Sequence, residues 1–167
     1  MTHSASIAQP AAVNSTLGKY SGIAFAIMRI IVGLMFVCHG AQKLFGMFGG
    51  KGGAEGMMLI GGIIEFGCGL LIALGLFTRP AAFLASGMMA VAYFMMHASG
   101  GALGHVPTTA ERIFPLLNKG ELAVLYCFFF LYTFFRGAGP LSLDNMIWGR
   151  TAAPDAVGGP MRTGRDL

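Results

Sequence analysis

The chain has 167 residues, of which 55% are hydrophobic and 11% are charged, and its formal net charge is +4. An ordinary soluble domain carries roughly 25% charged residues, so this composition excludes a soluble protein and indicates an integral membrane protein. The positive charge is scattered over the polar segments and gives no support for nucleic-acid binding.

Four apolar runs are predicted to be transmembrane helices, at residues 22–42, 57–77, 80–97 and 121–135. The first two reach the ~20 residues that cross the ~30 Å hydrocarbon layer of a bilayer. The other two are shorter by an amount that tilt and local thinning of the bilayer absorb. None of the runs alternates apolar and polar residues as a membrane β-strand does. We therefore expect an all-α fold, an integral membrane four-helix bundle with short loops, in one domain over residues 20–148.

The two ends of the chain, residues 1–19 and 149–167, are rich in Ala, Ser, Thr, Gly and Pro. They carry too little apolar surface to fold alone, and we expect both to be mobile tails. Four spans place both ends on the same side of the bilayer.

Lys and Arg residues indicate which side that is. The side of the termini holds Lys19, Arg79, Arg136, Arg150, Arg162 and Arg165, and the other side holds Lys43, Lys51, Arg112 and Lys119. Because Lys and Arg are enriched on the cytoplasmic side of membrane proteins, we expect both termini to be cytoplasmic.

One carboxylic acid, Glu65, lies near the middle of the second run. A central charge costs roughly 3 kcal/mol on insertion, which the apolar residues of this run outweigh. An ionisable residue inside a span faces the bundle interior and finds a partner there. Gly61, Glu65 and Gly69 share one helix face, where another helix can approach closely. We therefore expect Glu65 to point inward.

The first run offers two partners for this acid. If the first two helices are antiparallel neighbours, Arg29 and His39 each lie about 7 Å in depth from Glu65, on opposite sides. Arg29 cannot lose its proton and needs an anion, whereas His39 can remain neutral, so we expect an Arg29–Glu65 pair. Such a pair either fixes which helices meet or forms a poised proton or ligand site.

Polar side chains also converge at the end of the bundle opposite to the termini. They are His39, Lys43, His97, Asn118 and Glu121, with His105 and Lys119 able to join from the loop. Converging donors and acceptors beside an apolar bundle suit a small polar head group on an apolar body, such as a quinone. The alternative is that Lys43 extends to the membrane surface while Asn118 and Glu121 cap a helix.

Other cofactor sites have less support. His39 and His97 could ligate a haem between parallel helices, but two histidines without a distinctive spacing are weak evidence, and no haem is expected. Cys38, Cys68 and Cys127 lack CxxC spacing, so we expect apolar fillers and no metal site. The aromatic stretch at residues 126–135 is expected to face lipid or to pack between helices, with contact to a pigment or a quinone as the less favoured alternative.

The order and spacing of several short motifs resemble the DoxX family of small four-helix membrane proteins. The motifs are Arg29 with His39, Gly40 and Lys43, then Gly62 with Glu65, TRPAA at 78–82, PLLNKGELAVLY at 115–126 and GAGPLSLD at 137–144. The resemblance covers roughly residues 20–145. It implies an inner-membrane protein linked to membrane oxidoreductase systems, among them the thiosulfate to quinone enzyme. Its pattern picks out Arg29, His39, Lys43, Glu65, Asn118 and Glu121.

Two classes of function follow from this sequence. In the first, the chain is a quinone-linked oxidoreductase subunit with thiosulfate, sulfur or redox-stress chemistry, as the resemblance implies. Glu65, His39 and Arg29 are then the candidate catalytic residues, and electrons come from a partner protein. In the second, the chain is a non-catalytic accessory or scaffold subunit that packs against a larger energy-converting complex of the membrane. Small-solute transport is less favoured, because no inverted repeat or broken helix is evident.

Overall fold

The computed structural model describes residues 11–101 and 103–148, and this part of the chain is all-helical. The helices are α1 (Ala11–Phe45), α2 (Gly56–Leu74), α3 (Thr78–Ala92), α4 (Thr109–Ile113), α5 (Glu121–Arg136) and α6 (Leu143–Trp148). After Ala92, α3 continues as a π-helical turn, Tyr93–Ala98. Four of the helices, α1, α2, α3 and α5, form a bundle, which confirms the predicted all-α four-helix architecture.

Three helical segments of the described chain are long and apolar enough to cross a membrane: Tyr20–Phe45, Gly56–Leu74 and Thr78–Ala98. The fourth bundle helix, α5, has 16 residues, or about 24 Å at 1.5 Å per residue, and it packs along α3. Large apolar side chains such as Phe83 and Phe128 are exposed on the outside of the bundle, where a soluble protein would be polar. The protein is therefore a membrane protein whose outer surface contacts lipid.

The first helix begins at Ala11, eleven residues before the predicted span and inside the segment predicted to be a mobile tail. Extending an existing helix adds one hydrogen bond for each residue fixed, so residues next to a membrane-embedded span become helical without a new nucleus. The rest of the predicted tails, residues 1–10 and 149–167, lies outside the described residues.

Glycines bring α1 and α2 into close antiparallel contact. A Cβ atom on Gly33 would lie 2.7 Å from the backbone nitrogen of Ala73 and 2.9 Å from the carbonyl oxygen of Gly69. A Cβ atom on Gly40 would lie 2.8 Å from the carbonyl oxygen of Gly62. These approaches are possible only without side chains, and they fix the register of the two helices.

The predicted close approach beside Glu65 is confirmed, but one of its glycines is different. Gly62 and Gly69 are buried on the face of Glu65, whereas the predicted Gly61 has no atom within 4 Å of the place where its Cβ would be. Glu65 and Gly69 therefore lie on the predicted inward face of α2, and Gly62 takes the place of Gly61 on it.

Aromatic rings of α1 and α5 pack against each other inside the bundle. The ring of Phe36 lies 5.3 Å from that of Tyr126 and 4.7 Å from that of Phe130, measured between centroids. Small residues of α3, such as Ala82 and Ala85, are buried against this cluster and let the rings fit. Burial of large rings dominates the packing energy of such a core.

The segment after α5 folds back over the turn between α2 and α3. The carboxylate of Asp144 accepts hydrogen bonds from the backbone nitrogens of Phe77 (2.8 Å) and Thr78 (2.9 Å), which begin α3. The backbone nitrogen of Asp144 donates to the carbonyl oxygen of Gly75 at 2.8 Å. Asp144 thus satisfies N–H groups that the start of a helix leaves unpaired, and it joins α6 to this turn.

We call this side of the bundle the terminal end and the opposite side the loop end. The loop end carries the α1–α2 loop and the longer α3–α5 connection, which contains α4. In α4 the backbone nitrogen and hydroxyl of Thr108 both donate to Glu111 at 2.8 Å. These hydrogen bonds hold the pKa of the Glu111 carboxyl below its usual value. This capping box fixes the start of α4 within the connection.

Candidate functional site

A cavity of about 190 Å³ lies between the four bundle helices at the loop end. Its walls are formed by Phe36 and His39 of α1, Glu65 of α2, Met89 and His97 of α3 and its π-helical turn, Lys119 of the loop, and Leu122, Ala123 and Tyr126 of α5. The lining is therefore an apolar shell that holds a few polar groups from different helices.

Glu65 is 2% exposed, as the sequence predicted, and it is paired with Lys43. Its Oε1 atom accepts a hydrogen bond from the ammonium group of Lys43, whose side chain is 27% exposed and extends toward the loop end. The other carboxylate oxygen, Oε2, is buried and has no hydrogen-bond partner within residues 11–101 and 103–148. The charge of Glu65 is thus balanced, but one of its oxygens lacks a donor.

The predicted Arg29–Glu65 pair is wrong. Arg29 is fully buried, and its guanidinium binds backbone carbonyl groups instead of a carboxylate. Its Nη1 atom donates to the carbonyl oxygens of Ile72 and, at 3.0 Å, Ala73, and its Nη2 atom donates to that of Leu141 at 2.9 Å.

The helix register explains this difference. Gly33 lies against Gly69 and Ala73, so Arg29, one turn earlier in α1, reaches the last turn of α2. The carbonyl groups there have no partner within the helix and form the negative end of its dipole. Together with the carbonyl group of Leu141, they accept hydrogen bonds from both Nη atoms of the guanidinium without a carboxylate. Its buried Nε atom makes no hydrogen bond to the described residues, and Arg29 lies away from the cavity.

His97 is fixed in one tautomer by the α3–α5 connection. Its Nδ1 atom lies 3.0 Å from the backbone carbonyl oxygen of Asn118. Because a carbonyl oxygen can only accept, Nδ1 carries the proton, and neutral His97 has its lone pair on Nε2. The ring of Tyr93 stacks on that of His97 with centroids 6.3 Å apart.

Asn118, predicted to bind a head group, instead organises the loop. It is fully buried, and its amide nitrogen donates to the Tyr93 hydroxyl at 3.2 Å and to the carbonyl oxygen of Glu111 at 2.8 Å. Its amide oxygen accepts from the backbone nitrogen of Gly120 at 2.9 Å. With these bonds made, Asn118 positions His97 and does not line the cavity.

Tyr126 is a site residue that the sequence analysis missed. It is 5% exposed, its ring meets that of His39 edge-on at 5.9 Å, and its buried hydroxyl has no hydrogen-bond partner. The sequence held a signal, because Ala123, Tyr126 and Phe130 follow the 3–4 residue spacing of an inward helix face. The phenol of Tyr126 and the hydroxyl of Thr133 are the polar groups on that face.

The remaining predicted residues divide between the cavity and the surface. His39 lines the cavity, and Lys119 of the loop lines it as well. Glu121 is exposed and is not part of the lining. As the first residue of α5, it lies where a hydrated negative charge favours the start of a helix. His105 is exposed in the loop, 3.3 Å from Glu111.

Two further features bear on redox chemistry. Within residues 11–101 and 103–148 no group of three or more His, Cys, Asp or Glu side chains is placed to hold a metal ion. Cys38, Cys68 and Cys127 are free thiols, and Cys68 packs in the core.

The size of the cavity limits its ligand. Pockets that enclose a whole drug-sized molecule measure roughly 300–1,000 Å³, so about 190 Å³ suits a single ring with polar substituents. Two lining residues of the cavity, Glu65 and Tyr126, each carry a buried oxygen that has no hydrogen-bond partner among the described residues. The residues present therefore fit the head group of a quinone.

Comparison with known proteins finds a matching family model and a relative of similar length. The family model DoxX matches residues 24–98. A relative from Haemophilus influenzae, described as an uncharacterized protein, is 43% identical over 136 residues, which are 78% of this chain and 96% of the relative. No solved structure matches the chain.

Proposed function

Because this membrane protein belongs to the DoxX family, we propose that it is a quinone-linked subunit of an inner-membrane oxidoreductase system. The cavity at the loop end is its head-group site. This proposal joins the chemistry that the family resemblance implies to the polar groups that the cavity holds.

The observation that carries the proposal is the pair of unpartnered polar groups in the cavity wall. Glu65 Oε2 and the Tyr126 hydroxyl come from different helices, and both are buried without a hydrogen bond. Leaving a buried polar group unpaired costs roughly 1–3 kcal/mol. A ligand that pairs both groups recovers this energy, and Phe36, Met89 and Leu122 supply apolar walls for its ring.

The residues of the cavity can hold the ring and exchange protons with it. A bound quinone accepts two electrons and two protons to become a quinol. Tyr126 donates a hydrogen bond to a ring oxygen, while Glu65 and the Nε2 atom of His97 take up or release protons. Lys43, which is partly exposed, links Glu65 to the water at the loop end. Electrons come from a partner protein that oxidises a sulfur compound or another reduced substrate.

The cavity opens away from the cytoplasm in this proposal. Both termini are cytoplasmic, since six Lys and Arg residues lie on their side of the bilayer and four lie on the other side. The six are Lys19, Arg79, Arg136, Arg150, Arg162 and Arg165, and the four are Lys43, Lys51, Arg112 and Lys119. Protons of the bound ring are then exchanged with the outer face of the inner membrane.

A binding measurement on the full chain in lipid nanodiscs tests this function. We expect decylubiquinone, offered oxidised and chemically reduced, to bind the protein saturably in at least one form. Tyr126→Phe removes one hydrogen bond and should weaken binding about tenfold, equivalent to ~1.4 kcal/mol.

Tyr132→Phe is the matched control. Tyr132 is an exposed tyrosine of the same helix and lies outside the cavity, so removal of its hydroxyl group should leave the affinity for decylubiquinone unchanged. Absence of saturable binding of either form would contradict the proposal. Stable copurification with a large membrane complex, without any such binding, would instead favour the accessory role.

A further inference from the structure

The hydrogen-bonding character of the cavity distinguishes the two redox forms of a quinone. Resting on the proposed function, we infer that the cavity is complementary to the reduced form, a quinol, and binds it more tightly than the oxidised quinone. The difference between the two ligands lies at the ring oxygens, which are hydroxyl groups in the quinol and carbonyl groups in the quinone.

Glu65 presents an acceptor to the ligand. It forms a salt bridge with the Lys43 ammonium, and the carboxylate of a salt bridge has acceptor atoms only. Oε2 therefore requires an N–H or O–H donor. A ring hydroxyl supplies one, whereas a ring carbonyl would place oxygen lone pairs against oxygen lone pairs.

His97 presents a second acceptor. Its Nδ1–H group is committed to the carbonyl oxygen of Asn118, so the Nε2 atom of the neutral ring offers a lone pair. Asn118 cannot change this arrangement, because it is fully buried and its own amide is bound to Tyr93, Glu111 and Gly120. The tautomer of His97 is thus set by Asn118, which lies outside the cavity.

The remaining polar groups of the wall do not discriminate. The Tyr126 hydroxyl, the ring of His39 and the ammonium group of Lys119 can each donate a hydrogen bond, and the oxygens of both redox forms can accept one. A quinol hydroxyl donates and accepts at the same time, so it pairs with Glu65 or His97 as well as with Tyr126. A quinone can use only the donors and leaves Glu65 Oε2 buried without a partner. The difference corresponds to about tenfold in affinity.

The experiment compares decylubiquinol with decylubiquinone on the unmodified full chain in nanodiscs, under anaerobic conditions. We expect the reduced form to bind about tenfold more tightly. Equal or tighter binding of the oxidised form would overturn the inference and leave the proposed function standing. If neither form binds, the proposed function itself fails, so the two failures are distinguishable.

Variants test whether the acceptors cause the preference. Glu65→Gln introduces an amide that can donate to a carbonyl, so the affinity ratio should fall several-fold while His97 keeps its acceptor, whereas Tyr126→Phe should weaken both forms by the same factor. Where Glu65→Gln fails to fold because Lys43 loses its partner, the double variant Lys43→Gln/Glu65→Gln removes both charges and should show the same fall in the ratio. An undiminished preference in the folded variant would contradict the role of Glu65.

Discussion

Glu65 shows how far single residues could be predicted from the sequence. A carboxyl group in an apolar span has to turn inward, and Glu65 does so. Its partner could not be chosen from depth alone, because the glycine contacts between α1 and α2 set the register. Lys43 was expected in a separate polar cluster, yet its long flexible side chain reaches Glu65 from the loop end.

Replacement of Arg29 should affect stability and not ligand binding. Arg29→Met leaves the carbonyl oxygens of Ala73 and Leu141 without their donor, so we expect the free energy of unfolding to fall by roughly 2–3 kcal/mol. Thermal or denaturant unfolding in nanodiscs measures this change. Because Arg29 lies outside the cavity, the folded fraction should bind decylubiquinol with unchanged affinity.

The control for this variant is Arg112→Met, which removes an exposed arginine of the loop and should leave stability within about 0.5 kcal/mol of the parent. Unchanged stability of Arg29→Met would contradict the conclusion that Arg29 stabilises the fold by binding the carbonyl groups at the end of α2 and of Leu141. If Arg29→Met is stable but binds decylubiquinol more weakly, Arg29 contributes to the ligand site.

At the scale of elements, apolar periodicity predicted the helices but not the details that place side chains in the cavity. Hydrophobicity identifies α3, but nothing in its pattern predicts the π-helical turn that carries His97. Tyr126 was hidden in an aromatic run where lipid-facing and inward rings look alike. Its role depends on α1 and α2 meeting α5, which is a tertiary contact that local sequence does not contain.

The contact between α1 and α2 makes a matched test of helix packing possible. Gly33→Ala places a Cβ against the backbone of Gly69 and Ala73, so the helices must separate, and we expect a loss of roughly 1–3 kcal/mol in stability. Gly67→Ala adds the same atom to α2 where no atom lies within 4 Å. It should be neutral or slightly stabilising, since alanine favours helix more than glycine.

The two alanine variants are compared by their unfolding midpoints in the same lipid. Equal midpoints would show that α1 and α2 are not held at the distance described. Separation of the helices should also lower affinity for the ligand, because Glu65 lies on the same face of α2 as Gly69.

At the scale of the whole molecule, the fold was the most predictable feature. Few charges and long apolar runs leave a helical bundle as the arrangement that satisfies the backbone in lipid. The cavity was only partly predictable, since its walls come from four helices and a loop. The expectation that polar groups of helices 1 and 3 meet at the loop end is realised by His39 and His97, while Glu121 lies at the surface.

The proposed orientation is tested with reporters fused to the C-terminus of the full chain. Green fluorescent protein should fluoresce there and alkaline phosphatase should be inactive, because the terminus is expected in the cytoplasm. A phosphatase inserted in the α1–α2 loop after Gly53 should be active. The reverse pattern would turn the cavity toward the cytoplasm and assign its proton exchange to that side.

The long sequence separation between Arg29 and one of its acceptors has a consequence for biosynthesis. Arg29 enters the bilayer with the first helix, but one of its acceptors, the carbonyl oxygen of Leu141, is 112 residues further along the chain. At a ribosomal speed of roughly 5–20 residues per second, about 6 to 20 seconds pass before that acceptor is made. The bundle can therefore assemble as each helix arrives, yet the hydrogen bonds of Arg29 are complete only after all four bundle helices have been made.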